Sequence, residues 1–315
     1  MRFYHEPQCC RQELLRQKTE LQSKLNLLPY DGSPEIKENK SGKYLYIRKR
    51  VAGKLTSTYV DKFSDDLYQT LLRYVKEARE YKKQIRFITR ELSKLGYSSS
   101  ELSVQVEKNV DFARINLKSN IYDQAILEGV ATTFPQTETI IDNGKVYGMT
   151  ATDIQKILNL KHAWEFILNQ DVLSSKTDYA ILCYIARLVN EGFYENGGRI
   201  RVVPVSIGGS SYLPPLPIES VVKESMEAIL AKEENPIDKA IHLCLYCMKA
   251  QIFNDGNKRA SVIFANHYLI RQGEGLLVIP EKEVSKFKKL LIDFYEGKDT
   301  DNIQKFMKEK CWKKM

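Results

Sequence analysis

The chain has 315 residues, 43% of them hydrophobic, which suffices for two domains and a sizeable core. It contains no run of 18 or more apolar residues, and its opening Met-Arg-Phe-Tyr-His-Glu-Pro lacks the apolar stretch of a signal peptide, so the expectation is a cytoplasmic protein with no membrane partner. The net charge of +8 is uneven: residues 1–118 hold 24 Lys and Arg against 15 Asp and Glu, and the remainder 24 against 25. That asymmetry points to a separate N-terminal module with an acidic partner, beside the plainer reading that these side chains solvate long helices. The six Cys form no disulfide framework. Cys244 and Cys247, with His242, lie in an apolar helical run that reads as core rather than as a metal site.

In chain order, Leu14, Leu15, Leu21, Leu25 and Leu28 among charged residues predict an amphipathic helix ending at Pro29, and Asp31-Gly-Ser-Pro34 predicts a turn. From Lys43 to Val51 the period becomes two, with Tyr44, Tyr46, Arg48 and Arg50 on one face and Leu45, Ile47 and Val51 on the other. Gly53 turns the chain, Leu55–Val60 returns as the second strand of a β-hairpin, and a long helix from Asp61 to Leu95 stops at Gly96. The hairpin buries its apolar face on the helices. Its other face, Tyr44, Tyr46, Arg48 and Arg50, has the composition to stack on and neutralise a nucleic-acid strand, or is a solvated face with paired tyrosines. Residues 1–97 are thus one module, and 98–118 a linking helix after the polar break at Ser98–Leu102.

Residues 119–315 read as helices, among them Thr150–Asn169, Ser174–Glu191, Ile218–Lys232, Pro236–Ala250, Asn257–Gln272, Glu281–Tyr295 and Asp301–Lys310. Arg201–Pro215 interrupts them as a short hairpin. Before the helix at Asn257 stands the polar loop Gln251-Ile-Phe-Asn-Asp-Gly-Asn-Lys-Arg259. Free amides at Gly256, Asn257 and Lys258, the helix dipole, and the charges of Lys258 and Arg259 read as a polyphosphate site, with Asp255 placed to hold Mg²⁺, beside the plainer reading of an Asn-Asp-Gly turn that caps a helix.

This loop resembles the Fic/Doc signature H-x-F-x-[DE]-G-N-[GK]-R, with Phe253, Asp255, Gly256, Asn257, Lys258 and Arg259 in register. Gln251 stands at the catalytic His position and Val262 where adenylylating members have a second Arg, while Lys258 is the Doc-like form. Ile121–Val130 resembles the family's inhibitory helix within residues 119–143, with Glu128 and Gly129 matching and Gln124 in place of Ser or Thr. The resemblance implies that Glu128 competes with phosphate for Arg259 or Lys258. It also implies that Val205, Ser206, Ile207, Gly208 and Gly209, within residues 201–215, form a flap that docks a target protein by strand addition.

The implied fold is mainly α: an all-helical Fic-like domain with a β-hairpin flap, preceded by a helix–hairpin–helix module. The implied activity is transfer of AMP from ATP, or of a nucleotide from another NTP, to a protein hydroxyl with Mg²⁺. Gln251 cannot accept a proton near neutral pH, so three readings stand: a weak protein adenylyltransferase, a catalytically inactive nucleotide-sensing or nucleic-acid-associated protein, or a Doc-like kinase.

Overall fold

The computed structural model describes residues 7–28, 30, 32–39, 41–51, 54–95, 102–142 and 144–315. His5, Pro29, Asp31, Gly53, Gly96 and residues 98–101 of the expected polar break lie outside them, as do the side chains of Cys9, Cys10 and Arg50. The chain divides into two compact units, Met1–Ser99 and Ser100–Met315, and is mainly α. No described helix is long and apolar enough to cross a membrane.

The first unit runs α1 (Pro7–Leu27), β1 (Ser33–Asn39), β2 (Gly42–Val51), β3 (Lys54–Lys62) and α2 (Asp65–Lys94). Its antiparallel sheet has the order β1-β2-β3, so the expected two-stranded hairpin gains a third strand where a turn was expected at Ser33–Pro34. Pro34 is tolerated because β1 is an edge strand. Leu45 and Ile47 are buried with Leu71 of α2, and Leu15 of α1 with Ile88 and Leu92. The long helix starts at Asp65 rather than Asp61 because β3 continues to Lys62 and the Ser64 side chain caps Leu67 N–H.

The second unit comprises α3 (Val104–Ile115), α4 (Leu117–Leu127), α5 (Phe134–Ile141), α6 (Ala151–Ile167), α7 (Gln170–Leu173), α8 (Tyr179–Val189), α9 (Glu219–Ala231), α10 (Pro236–Ala250), α11 (Asn257–Gln272), β4 (Leu276–Leu277), α12 (Val284–Tyr295), α13 (Asp301–Phe306) and β5 (Trp312–Lys313). Helix α11 is the axis, with 13 of its 16 residues buried. A helix apolar on all sides needs neighbours on all sides. Part of that wall is α3, which the sequence suggests is only a link: Val110 and Ala113 enter the core, and Asn109 exchanges two hydrogen bonds with Gly275. The helix expected from Ser174 begins at Tyr179, where Asp178 caps Ile181 N–H. Asn266 ties α11 to β4 through both backbone groups of Leu277.

Residues 201–215 are not the expected β-hairpin, because no strand pairing joins their two arms. Pro204, Pro214 and Pro215 supply no N–H to a ladder, and a side chain takes its place. The guanidinium of Arg201, 1% exposed, donates to the carbonyls of Val203, Pro214 and Pro215 and closes the base of the loop.

His267, inside α11, is fully buried between Thr177 Oγ1 at 2.9 Å and the Val172 carbonyl at 3.0 Å. Burial pushes its pKa down to about 3. The unfolded chain therefore takes up a proton near pH 6.5 that the folded chain refuses until about pH 3, so this group removes stability as pH falls below 6.5. Urea unfolding followed between pH 6 and 4 should lose about 1.4 kcal/mol per pH unit from this residue. His267→Gln should flatten that slope; an unchanged slope would remove His267 from the account.

Candidate functional site

The site is built at the junction of α10 and α11. Helix α10 ends at Ala250, and Gln251 takes φ 45° and ψ 59°, the one left-handed non-glycine among the described residues. Strain of this kind persists only where the surroundings hold it. Here the Gln251 amide donates to Met248 O at 2.6 Å and accepts from Asn257 Nδ2 at 3.1 Å, while its carbonyl accepts from Arg201 Nε. Asn257 also binds Phe253 through N–H at 2.9 Å and C=O at 2.7 Å. Its side chain therefore folds the loop back on itself, and only its backbone faces outward as a phosphate donor would.

Gly256 has φ 73°, and a Cβ there would sit 2.9 Å from the Asn190 side chain and 3.1 Å from Val189 Cγ2, so only glycine fits. It stands as N-cap of α11 with no side-chain cap, which leaves the first amides of the helix without a side-chain acceptor. Asp255 is fixed by its carbonyl, which accepts from Asn190 Nδ2 at 2.9 Å; its carboxylate is about half exposed and gives one oxygen to Arg259 at 3.0 Å.

Arg259 is 2% exposed and does not face solvent. It donates to Val189 O at 2.8 Å, Asn190 Oδ1 at 3.4 Å and Asp255, and its Nε lies 3.3 Å from Glu128 Oε2. Lys258 is the motif cation that reaches outward, with Nζ 3.8 Å from Glu128 Oε1. Glu128 thus sits against both cations available in the absence of a second Arg, and Val262, at that Arg position, is packed at 1% exposure.

The direction of Glu128 follows from the end of α4. Gly129 at φ 75° bonds to Ile126 O, and Val130 to Ala125 O, the glycine-terminated stop that lets the chain leave a helix. Gln124, one turn earlier, donates to Arg259 O at 2.9 Å and accepts from Trp164 Nε1 at 3.0 Å, locking α4 onto α11 and α6. Sequence patterns mark Gln124 only as a departure from Ser or Thr, and give no sign of Asn190 or Arg201.

Of the flap residues, Val205 and Ile207 are half-buried and Ser206, Gly208 and Gly209 exposed. Ser210 N–H closes a turn on Ile207 O at 3.1 Å, and Glu296 accepts from Ser210 Oγ, Ser211 N–H and Ser211 Oγ at 2.8–3.1 Å. The Lys298 ammonium, then these donors, hold Glu296 down to about 2. Burial holds the Tyr295 phenol, which contacts Gln251, well above its ordinary range, so it does not serve as a replacement base. A cavity of about 140 Å³ lies beside the motif, lined by Asn190, Tyr194, Glu195, Phe253, Asn254 and Asp255 among others. A larger one of about 560 Å³, between α9, α10 and residues 212–218, includes no motif residue.

Residues 176–269 match the model of the Fic/DOC family, and residues 11–69 match a domain of unknown function (DUF6788). Over 220 residues the chain is 27% identical to the protein adenylyltransferase Fic of Drosophila erecta and 26% identical to that of Drosophila melanogaster, covering 66% of this chain and 44% of each relative. It therefore spans less than half the length of these relatives. In fold it is similar to a Fic domain containing signaling protein from Bacteroides thetaiotaomicron, with TM-score 0.54 and 17% identity over 67% of this chain and 86% of that one. It is also similar to Fic-1 from C. elegans, with TM-score 0.51 and 18% identity over 78% and 77%. With the motif in register on a helical scaffold of this kind, the chain carries a Fic/DOC domain over residues 176–269.

Proposed function

We propose that the second unit binds ATP, or another nucleoside triphosphate, with Mg²⁺ and transfers AMP slowly to a hydroxyl of a target protein. The observation that carries this reading is the start of α11. Its amides lack a side-chain cap, and the Asp255 carboxylate and Lys258 ammonium, each partly exposed, lie beside it. Asp255 has the hard oxygen donors that Mg²⁺ prefers, and the ion would supply charge neutralisation for the phosphates.

In this reading the chain binds phosphate through the α11 amides and Lys258, and orients it without using the Arg259 side chain, which is engaged elsewhere. The acceptor oxygen bonds to the α-phosphorus, the bond to the β-phosphate bridge breaks, and pyrophosphate leaves. The hydroxyl proton goes to solvent, because the Gln251 carboxamide is neutral and tied at both ends. Val202 and Val203, 81% and 50% exposed at the start of the flap segment, offer an apolar surface for a target protein. All four described Cys are free, which agrees with a cytoplasmic setting. The fastening of Gln251 also favours a second reading, in which the unit binds nucleotide without turnover.

Calorimetric titration with Mg·ATP should detect binding that Gly256→Ala abolishes. No binding to the parent chain or to Glu128→Gly would remove the nucleotide from the proposal. Glu128→Gly should bind more tightly than the parent, since a carboxylate no longer occupies Lys258. Mass spectrometry of protein substrates should show an AMP increment that rises about 10²–10⁴-fold in Gln251→His, the size of a restored general base. A phosphate increment instead would identify a kinase of the Doc-like kind, and no increment from either protein, with binding intact, the second reading.

A further inference from the structure

The charge excess belongs entirely to the first compact unit: residues 1–99 hold 21 Lys and Arg against 12 Asp and Glu, and residues 100–315 hold 27 against 28. Within that unit the cations are not spread evenly. On α2 the residues Lys76, Arg79, Lys83, Arg86 and Arg90 are spaced by three and four and are all exposed. At about 3.6 residues per turn they form one stripe about 80° wide and about 21 Å long, on the side away from the buried Leu71, Ala78, Ile88 and Leu92. Glu77, Glu80 and Glu91 fall beside the stripe and not in it.

None of these five side chains pairs with a described carboxylate, whereas Lys94 further along the helix is paired with Glu91 at 2.7 Å. Five unpaired, regularly spaced cations repel one another in the isolated protein. A polyanion laid along the stripe would relieve that repulsion. The tyrosine-bearing face of the sheet differs. There Glu35 lies 3.8 Å from Lys37 and 3.9 Å from Arg48, and Lys37 covers the Tyr46 ring at 4.4 Å. Its two described cations share one carboxylate and one of its rings is capped.

We infer that the exposed stripe of α2, Lys76, Arg79, Lys83, Arg86 and Arg90, binds the phosphate backbone of duplex DNA without reading its sequence. The stripe itself holds no aromatic residue, so it lacks the successive stacking positions that a single strand requires. A straight row of cations fits a stiff duplex. The B-form major groove, about 12 Å wide, accepts a helix about 10–12 Å across, whereas the deep, narrow A-form groove of RNA does not.

Fluorescence anisotropy of the full-length chain with a labelled DNA duplex, at a series of NaCl concentrations, tests this. Five phosphate contacts give a slope of log K against log salt of about −4.5. Lys83→Ala/Arg86→Ala should weaken binding equally on unrelated sequences and reduce the slope by about 2. Alanine favours helix, so circular dichroism should be unchanged and the loss will not be one of folding. The inference is overturned by any of three results: binding that the double variant leaves intact, binding that Arg48→Ala/Tyr59→Ala abolishes instead, or equally tight binding of single-stranded DNA or an acidic polypeptide.

Discussion

The second unit is organised around one buried cation. Arg259, at the first turn of the central helix, carries a permanent charge at 2% exposure, and a charge in that position demands acceptors from every direction. It takes the carbonyl of Val189 at the end of α8, the Asn190 side chain, the Asp255 carboxylate of its own loop and the Glu128 carboxylate at the end of α4. Three parts of the chain, the end of α8, the motif loop and the end of α4, are therefore held in register by a single guanidinium. Such an arrangement contributes little to net stability, because desolvation offsets the attraction, but losing one partner leaves an uncompensated buried charge.

The same constraint divides labour within the motif. Arg259 and the Asn257 side chain shape the loop, so the surface that a phosphate meets is reduced to amides, Lys258 and Asp255. The Glu128 carboxylate then has a double position, 3.3 Å from a structural cation and 3.8 Å from an exposed one. Its hold on Lys258 is one a phosphate can replace, while its hold on Arg259 maintains the fold.

Gln251 shows a related economy. In the left-handed conformation a side chain must be restrained by its neighbours, and Met248, Asn257 and Arg201 supply the restraint. Arg201 also closes the base of residues 201–215, so the motif loop and the flap share an anchor. A change in either is transmitted to the other through one buried guanidinium rather than through strand pairing.

Much of this was legible in the sequence, for local reasons. The bounds of α10 and α11 follow from helical periodicity and the Asn-Pro start of α10. The alternation of Leu45 and Ile47 against Tyr44 and Tyr46 separates the faces of the sheet, and the family motif names the loop. The third strand was not legible, because Ser33–Asn39 is an edge strand with five of seven residues exposed and no apolar alternation to betray it. Tertiary structure alone decided that Arg259 faces inward, that Gln251 is tied at both ends, that α3 joins the core, and that Arg201 replaces a hairpin ladder. Each depends on contacts between residues far apart in the chain. Side-chain hydrogen bonds to distant carbonyls leave no periodic trace, whereas helices, caps and turns are specified by neighbours within one or two turns.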